Sequence, residues 1–350
     1  MERLEKKPVM EVFLDKDFIM NFWNVSSTDK TIIDNFKETF LKKAKNFCLK
    51  TNFSSLDEIK DNEEYLVIME MLFESIPEME FSVHPQKTDW LNNELNTIGG
   101  YKLFLIEIEQ KECEAYTKET GFEFICTNNL SSCWKKYLSK EIEKSLLNLG
   151  QKNDPDVLNS WKDLSFIGQS PTKSIIVVDR YIFSDSWSQR INENLYPLLE
   201  AIIPFGICSS LDILIIAENI SSELHQQINE HFTKFQEKIK INFYFLTWAY
   251  TFMDTQTIHD RYIYTNYYTI YSGPGFNIFN YSVLKESNGL FFVKFSFAGL
   301  NMKICPFHLL LLKNYASECT KQKERTKIVN NVKIKLLNYY PDYFYCPLLS

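Results

Sequence analysis

Short apolar runs separated by amphipathic stretches recur along the first 250 residues, and this alternation restricts the chain to an α/β fold more than any other feature does. Met10-Glu-Val-Phe-Leu14 reads as a strand that ends on Asp15 and Asp17. Behind a Thr28-Asp29 cap, Ile32, Ile33, Phe36, Phe40, Leu41, Ala44 and Phe47 recur at spacings of three and four, which predicts a helix. Ser55 with Glu58 forms a capping box for a further helix through Ile68, Leu72 and Phe73, stopped by Pro77. A polar, Asn-rich stretch runs to Gly99-Gly100, followed by a strand at 102–108, a helix to about Thr120 and a strand at 122–126. This βαβ order predicts a partly parallel sheet in an N-terminal α/β domain, residues 1–150.

Residues 151–172 are poor in apolar periodicity and carry Asn153-Asp-Pro155, Gly168 and Pro171, the composition of a linker. The alternation then restarts, with strands at 174–182, 211–217 and 239–246 separated by helices at 192–203 and 222–235. Next, 258–265 and 267–272 are two strands joined by almost nothing, as in a tight antiparallel hairpin. A second α/β domain with a mixed sheet is therefore expected over 173–290. Residues 291–350, with an alternating strand at 291–297 and a helix after Pro306, are expected to pack on it as a C-terminal extension. At 350 residues and 45% apolar content, the chain has material for about two cores.

A net charge of −7 means that a polyanion or an anionic membrane would have to be met by a local basic patch. The eight cysteines are scattered, with no CxxC pair and no histidine at zinc-ligand spacing, which predicts reduced thiols. The opening Met-Glu-Arg-Leu-Glu-Lys-Lys has no apolar leader core, and no apolar run approaches the roughly 20 residues needed to span a bilayer. A cytoplasmic protein without a transmembrane segment is the expectation.

The chemistry-bearing segment is Ile258-His-Asp-Arg-Tyr-Ile-Tyr-Thr-Asn266, followed by Ser272-Gly-Pro-Gly-Phe-Asn277. On a strand, His259 and Arg261 share one face and Asp260 takes the other. A phosphoryl group would meet the imidazole as nucleophile or proton carrier and the guanidinium as a two-pronged clamp. Gly273 and Gly275 would let backbone N–H groups approach the same anion.

This pattern resembles the phospholipase D superfamily motif, with His259 at the His position, Arg261 at the Lys position and Asn266 at the Asp position. The Ser272–Asn277 turn falls where that family has its Gly-Ser-x-Asn turn. The spelling is similar to the C-terminal phospholipase D-like domain of MIT (microtubule interacting and trafficking) domain proteins and its prokaryotic relatives. Val178-Asp179-Arg180-Tyr-Ile182 resembles the Asp-Pro-Tyr-Ile strand end of that branch, with Arg180 in place of Pro. The resemblance covers about 110 residues and implies phosphate or phosphoinositide binding by Arg261, Ser272, Gly273, Gly275, Asn277, Asp179 and Arg180, without a cofactor. If the site is active, it implies catalysis through His259, Arg261 and Asn266. The family sets two His motifs face to face, whereas this sequence carries one, so hydrolysis would need a homodimer or another acid. Taken without the resemblance, His259 also reads as a strand histidine with Arg261 paired to Asp260 or Glu286, and Asp179 with Arg180 as a structural salt bridge.

Asp15 and Asp17 at the end of the first strand, with Asn128 and Asn129 at the end of a later one, resemble PIN-type nuclease domains. That resemblance implies a divalent metal at Asp15 and Asp17; as residues alone they read equally as helix caps. The basic run 321–327 reads as a solvated helix end. The functional expectation is a degenerate phospholipase D-like protein that binds a phosphate-bearing ligand (nucleic acid, nucleotide or lipid headgroup) or a protein partner, in the setting of a prokaryotic defence system. The alternatives are a phosphodiesterase or nuclease acting through His259 in a homodimer, and a scaffold subunit of a protein complex.

Overall fold

The computed structural model describes residues 10–26, 30–36, 47–73, 79–82, 84, 86–96, 101–137, 142–145, 158–183, 187–247, 261–280, 283–284, 290–295, 328–329 and 332–333. The chain is α/β, as the alternation predicts. Strands β1 (Met10–Leu14), β2 (Phe47–Thr51), β3 (Met79–Phe81), β4 (Tyr101–Leu105) and β5 (Glu123–Ile125) form a five-stranded parallel sheet in the order β3-β2-β1-β4-β5. Between and after them come α1 (Lys16–Ser26), α2 (Lys30–Phe36), α3 (Leu56–Lys60), α4 (Glu63–Phe73), α5 (Lys87–Asn96), α6 (Gln110–Thr120) and α7 (Leu130–Tyr137). Strand order reverses between β1 and β4, and in parallel α/β sheets the carboxyl ends of such neighbours open a ligand-binding crevice.

Three local expectations change. Phe47 fits the helical spacing of Phe36 and Phe40, yet it opens β2, which pairs with β1 from Met10 to Leu14. The expected helix after Ser55 is two: Ser55 Oγ accepts from Glu58 N, then Asn62 Oδ1 accepts from Glu64 N and Tyr65 N and starts α4 afresh. The polar stretch before Gly99 holds β3 and α5, because Trp90 and Leu91 supply enough apolar surface to seat α5 in a core with Phe13, Phe104 and Phe124.

The second sheet is mixed and seven-stranded. Its parallel part is β7 (Ser174–Val178), β8 (Ser210–Ala217) and β9 (Lys240–Thr247). These are joined by α8 (Trp187–Arg190), a π-helical turn at Ile191–Leu195, α9 (Tyr196–Ile202) and α10 (Ser222–Thr233). The hairpin of β10 (Arg261–Tyr264) and β11 (Tyr268–Ser272) adds antiparallel to β7, with Arg261 opposite Ser272. Strands β12 (Phe279–Asn280) and β13 (Val283–Leu284) pair with each other, and β14 (Leu290–Phe295) lies on β11. The far edge is β6 (Ile142–Ser145), giving the order β6-β14-β11-β10-β7-β8-β9.

The boundaries read from composition shift accordingly. Residues 142–145, grouped by sequence with the N-terminal domain, satisfy their backbone on β14 in the second sheet, and residues 290–295 are an internal strand of that sheet and no extension of it. The 151–172 linker is not a free connection where it is described. Leu158, Trp161, Leu164 and Ile167 are buried, and the Trp161 ring lies 5.3 Å from that of Phe279. Polar composition hid this, since few apolar residues suffice to anchor a short irregular segment. Buried side chains from β1 to β14 join in one apolar cluster. The two sheets also share a polar tie: Tyr267 Oη donates to Lys102 O at 2.7 Å and accepts from Glu123 N at 2.6 Å. Burial holds that phenol well above its ordinary pKa, which keeps its proton in place.

Among the described residues, no helix is long and apolar enough to cross a membrane. The expected helix after Pro306 and the basic run 321–327 lie outside the described residues.

Candidate functional site

β7 is buried along its whole length and delivers Asp179 to its carboxyl end, where the chain turns through Arg180, Tyr181 and Ile182. Asp179 is 1% exposed. Its Oδ2 accepts from Phe276 N at 2.8 Å and its Oδ1 from Tyr181 N at 3.0 Å. Burial pushes the carboxyl above its ordinary range, against the pull of those two amides and of the Arg261 charge. Gly275 has φ +97°, and a Cβ on it would lie 3.0 Å from Asp179 Oδ2, so glycine allows both the turn and the close approach.

The Gly-x-Gly turn is thereby closed on the Asp179 carboxyl group. Gly275 N donates to Ser272 O, Ser272 Oγ donates to Gly275 O, and Phe276 N goes to Asp179. Asn277 Nδ2 donates to Tyr181 O at 3.0 Å. Gly275 N, Phe276 N, Ser272 Oγ and Asn277 Nδ2 thus all bond within the chain, and the last of these, with Phe276 N, ties the turn to the Asp179–Ile182 segment. Asn194, in the π-helical turn, continues the lock by donating to Phe279 O and accepting from Phe279 N.

Two guanidinium groups remain at the rim. Arg261, half-buried at the start of β10, donates from Nη1 to Gly273 O at 2.8 Å. Arg180 is oriented by Glu218, with Nε 2.8 Å from Oε1. Tyr181, 43% exposed, lies beneath both, its ring centre 5.0 Å from Arg180 Cζ and 5.6 Å from Arg261 Cζ. Cation–π contact of this kind steadies a guanidinium while leaving N–H groups to bind oxygen. Among the described residues, no carboxylate lies within ion-pair distance of Arg261. His259, two positions before Arg261, lies outside the described residues, as do Asp260 and Glu286.

Asn266 is not part of this cluster. It sits past the other end of β10, roughly 15 Å away by strand rise. It is fully buried, and its Oδ1 accepts from Lys173 N at 2.7 Å and Ser174 N at 3.1 Å, securing the entry to β7. The placement gives Asn266 a backbone-anchoring role, because a strand of this length separates its two ends too far for one phosphoryl group to touch both.

The other candidate residues meet at the crevice between β1 and β4. Asp15 is fully buried; its Oδ1 accepts from Asn52 Nδ2 at 2.9 Å and Asp17 N at 3.2 Å, and its Oδ2 from Glu107 N at 3.0 Å. Lys87 Nζ lies 2.9 Å from Asp15 Oδ2, 2.9 Å from Asp17 Oδ2 and 2.6 Å from Glu107 O. Burial works to lower the Lys87 pKa, but the bonds to Asp17 and Asp15 outweigh it and hold the ammonium above the ordinary lysine range. The Lys87 ammonium thus bridges the two carboxylates. No group of three or more His, Cys, Asp or Glu suited to a metal occurs among the described residues. Asn129, the later-strand counterpart, is spent on backbone: its Oδ1 accepts from Cys126 N and its Nδ2 donates to Phe124 O.

Sequence reasoning missed Tyr181, Lys87 and Glu107. Tyr181 carried a signal, a large aromatic directly after a buried strand and beside an arginine. Glu107 had a weaker one, an acid just past a parallel strand. Lys87 had none, since its partners are brought to it by the fold. Comparison of the chain with protein-family models and with curated proteins gives no match.

Proposed function

We propose that the protein is a phospholipase D-like binding module that holds a phosphate-bearing ligand between Arg261 and Arg180 and does not hydrolyse it on its own. The observation that carries this reading is the pair of guanidinium groups in cation–π contact with the exposed ring of Tyr181, with Arg261 free of any ion pair among the described residues. Arg261 spends one of its five N–H donors on Gly273 O, so a fork remains for a phosphoryl group. With Gly275 N and Phe276 N already bonded within the chain, recognition falls mainly to side chains. The chain's overall charge of −7 makes such a confined site the place where an anion can be received.

The test is titration of the protein with a labelled single-stranded oligonucleotide and, separately, a soluble inositol phosphate at fixed salt. Arg261→Ala should weaken the bound ligand on the order of tenfold or more, the loss of two charged hydrogen bonds. Unchanged affinity in Arg261→Ala removes the site. Metal-independent cleavage of DNA or RNA that His259→Ala abolishes would replace binding with hydrolysis as the function.

A further inference from the structure

We infer that the crevice between the carboxyl ends of β1 and β4 is a carboxylate site occupied by the chain's own cation, with Lys87 Nζ standing where a divalent cation would otherwise bridge Asp15 and Asp17. This is independent of the Arg261 site. The ammonium contacts three oxygens, Asp15 Oδ2 and Asp17 Oδ2 at 2.9 Å each and Glu107 O at 2.6 Å. Those contacts use all three of its N–H donors, so it is a fixed member of the site. Carboxylate and carbonyl oxygens are also the ligands that hard divalent ions select.

The site is preorganised in the manner of a cation site. Asp15 is held from behind by Asn52 Nδ2 and by the amides of Asp17 and Glu107, which fixes the direction of the oxygen facing Lys87. The Glu107 carboxylate is turned away to Thr127, whose Oγ1 donates to Oε1 at 2.9 Å, so that residue offers the crevice its carbonyl. Asp15 is fully buried, and a buried carboxylate needs a compensating charge. Lys87 supplies that charge at the point where the strand order reverses. A lysine differs from a metal ion in one chemical respect: it gives positive charge without an open coordination position at which a water or phosphoryl oxygen could be polarised. The crevice therefore holds a fixed positive charge and lacks a metal ion's Lewis-acid chemistry.

Removing the ammonium should turn the crevice into a cation site. The full-length protein, Lys87→Ala and the double variant Lys87→Ala/Asp17→Asn are titrated with MnCl2 and with MgCl2 by calorimetry. The expected result is no saturable binding to the wild type, saturable Mn²⁺ binding gained in Lys87→Ala, and loss of that gain in the double variant. Wild-type Mn²⁺ binding that Asp17→Asn abolishes overturns the inference, as does a folded Lys87→Ala that gains no affinity. A second readout does not depend on the folding of Lys87→Ala: Mn²⁺ added to the wild type should leave the amide resonances of Asn52 and Glu107 unbroadened, and broadening that Asp17→Asn removes overturns the inference equally.

Discussion

Replacing Gly275 with alanine separates the two reasons for glycine in the turn that closes on Asp179. Its φ of +97° costs a residue with a Cβ roughly 1–3 kcal/mol. The added Cβ would also stand 3.0 Å from Asp179 Oδ2, the oxygen that accepts from Phe276 N. That carboxylate has little room to retreat, being 1% exposed and tied through Oδ1 to Tyr181 N. Displacing it would leave the buried Phe276 amide without a partner, a further cost of roughly 1–3 kcal/mol. Gly206 is the internal control, because its φ is +82° and nothing lies within 4 Å of a built Cβ. Gly206→Ala should therefore show backbone strain alone, roughly 1–3 kcal/mol, and Gly275→Ala strain plus the lost contact, roughly 2–6 kcal/mol. Thermal melting followed by intrinsic fluorescence reads the difference, since each kcal/mol moves the midpoint of a larger domain by roughly 2–4 °C. Gly275→Ala should melt several degrees below Gly206→Ala and bind anion more weakly, because Tyr181 is held by the same carboxylate. Coincident melting curves for the two variants would refute the proposed contact between the turn and Asp179.

Asn266→Ala removes the acceptor for the Lys173 and Ser174 amides and should cost roughly 2–4 kcal/mol in melting stability while leaving anion affinity intact; a variant that melts like the wild type but loses affinity would return Asn266 to the site. For Asp179, burial raises the folded pKa above its unfolded value, so the folded state binds the extra proton. Its contribution to stability is accordingly greatest at low pH and declines as pH rises from the ordinary carboxylate range through the folded value. Melting midpoints measured across that interval should show this downward component in the wild type and not in Asp179→Asn, with anion affinity in the wild type strengthening as pH falls; a pH response unchanged in Asp179→Asn argues against it.

The sequence by itself determined the α/β class, the parallel run of β7, β8 and β9, and the β10–β11 hairpin, because each rests on signals carried within a few residues. Continuous apolar runs read as buried strands, and the tight connection after Thr265 forces antiparallel pairing. β2 was hidden because Phe47 continues a helical spacing; α5 was hidden because two buried side chains, Trp90 and Leu91, are too few to show as a pattern. β6 needed a partner strand, β14, that lies far along the chain. The site divides in the same way. Arg261, Ser272 and the glycines could be read as a group because they face one another across a hairpin; Asp179 was named with them only through the resemblance, and its bond to Phe276 N, 97 residues away, needed the fold. Lys87 meets Asp15 and Asp17 only because the strand order reverses between β1 and β4 and leaves a crevice open to α5. Residue type and spacing therefore named many of the groups able to bind an anion or a metal. The tertiary structure decided which of them were already neutralised from within, since a charge is compensated by whatever the fold sets beside it, however distant in sequence.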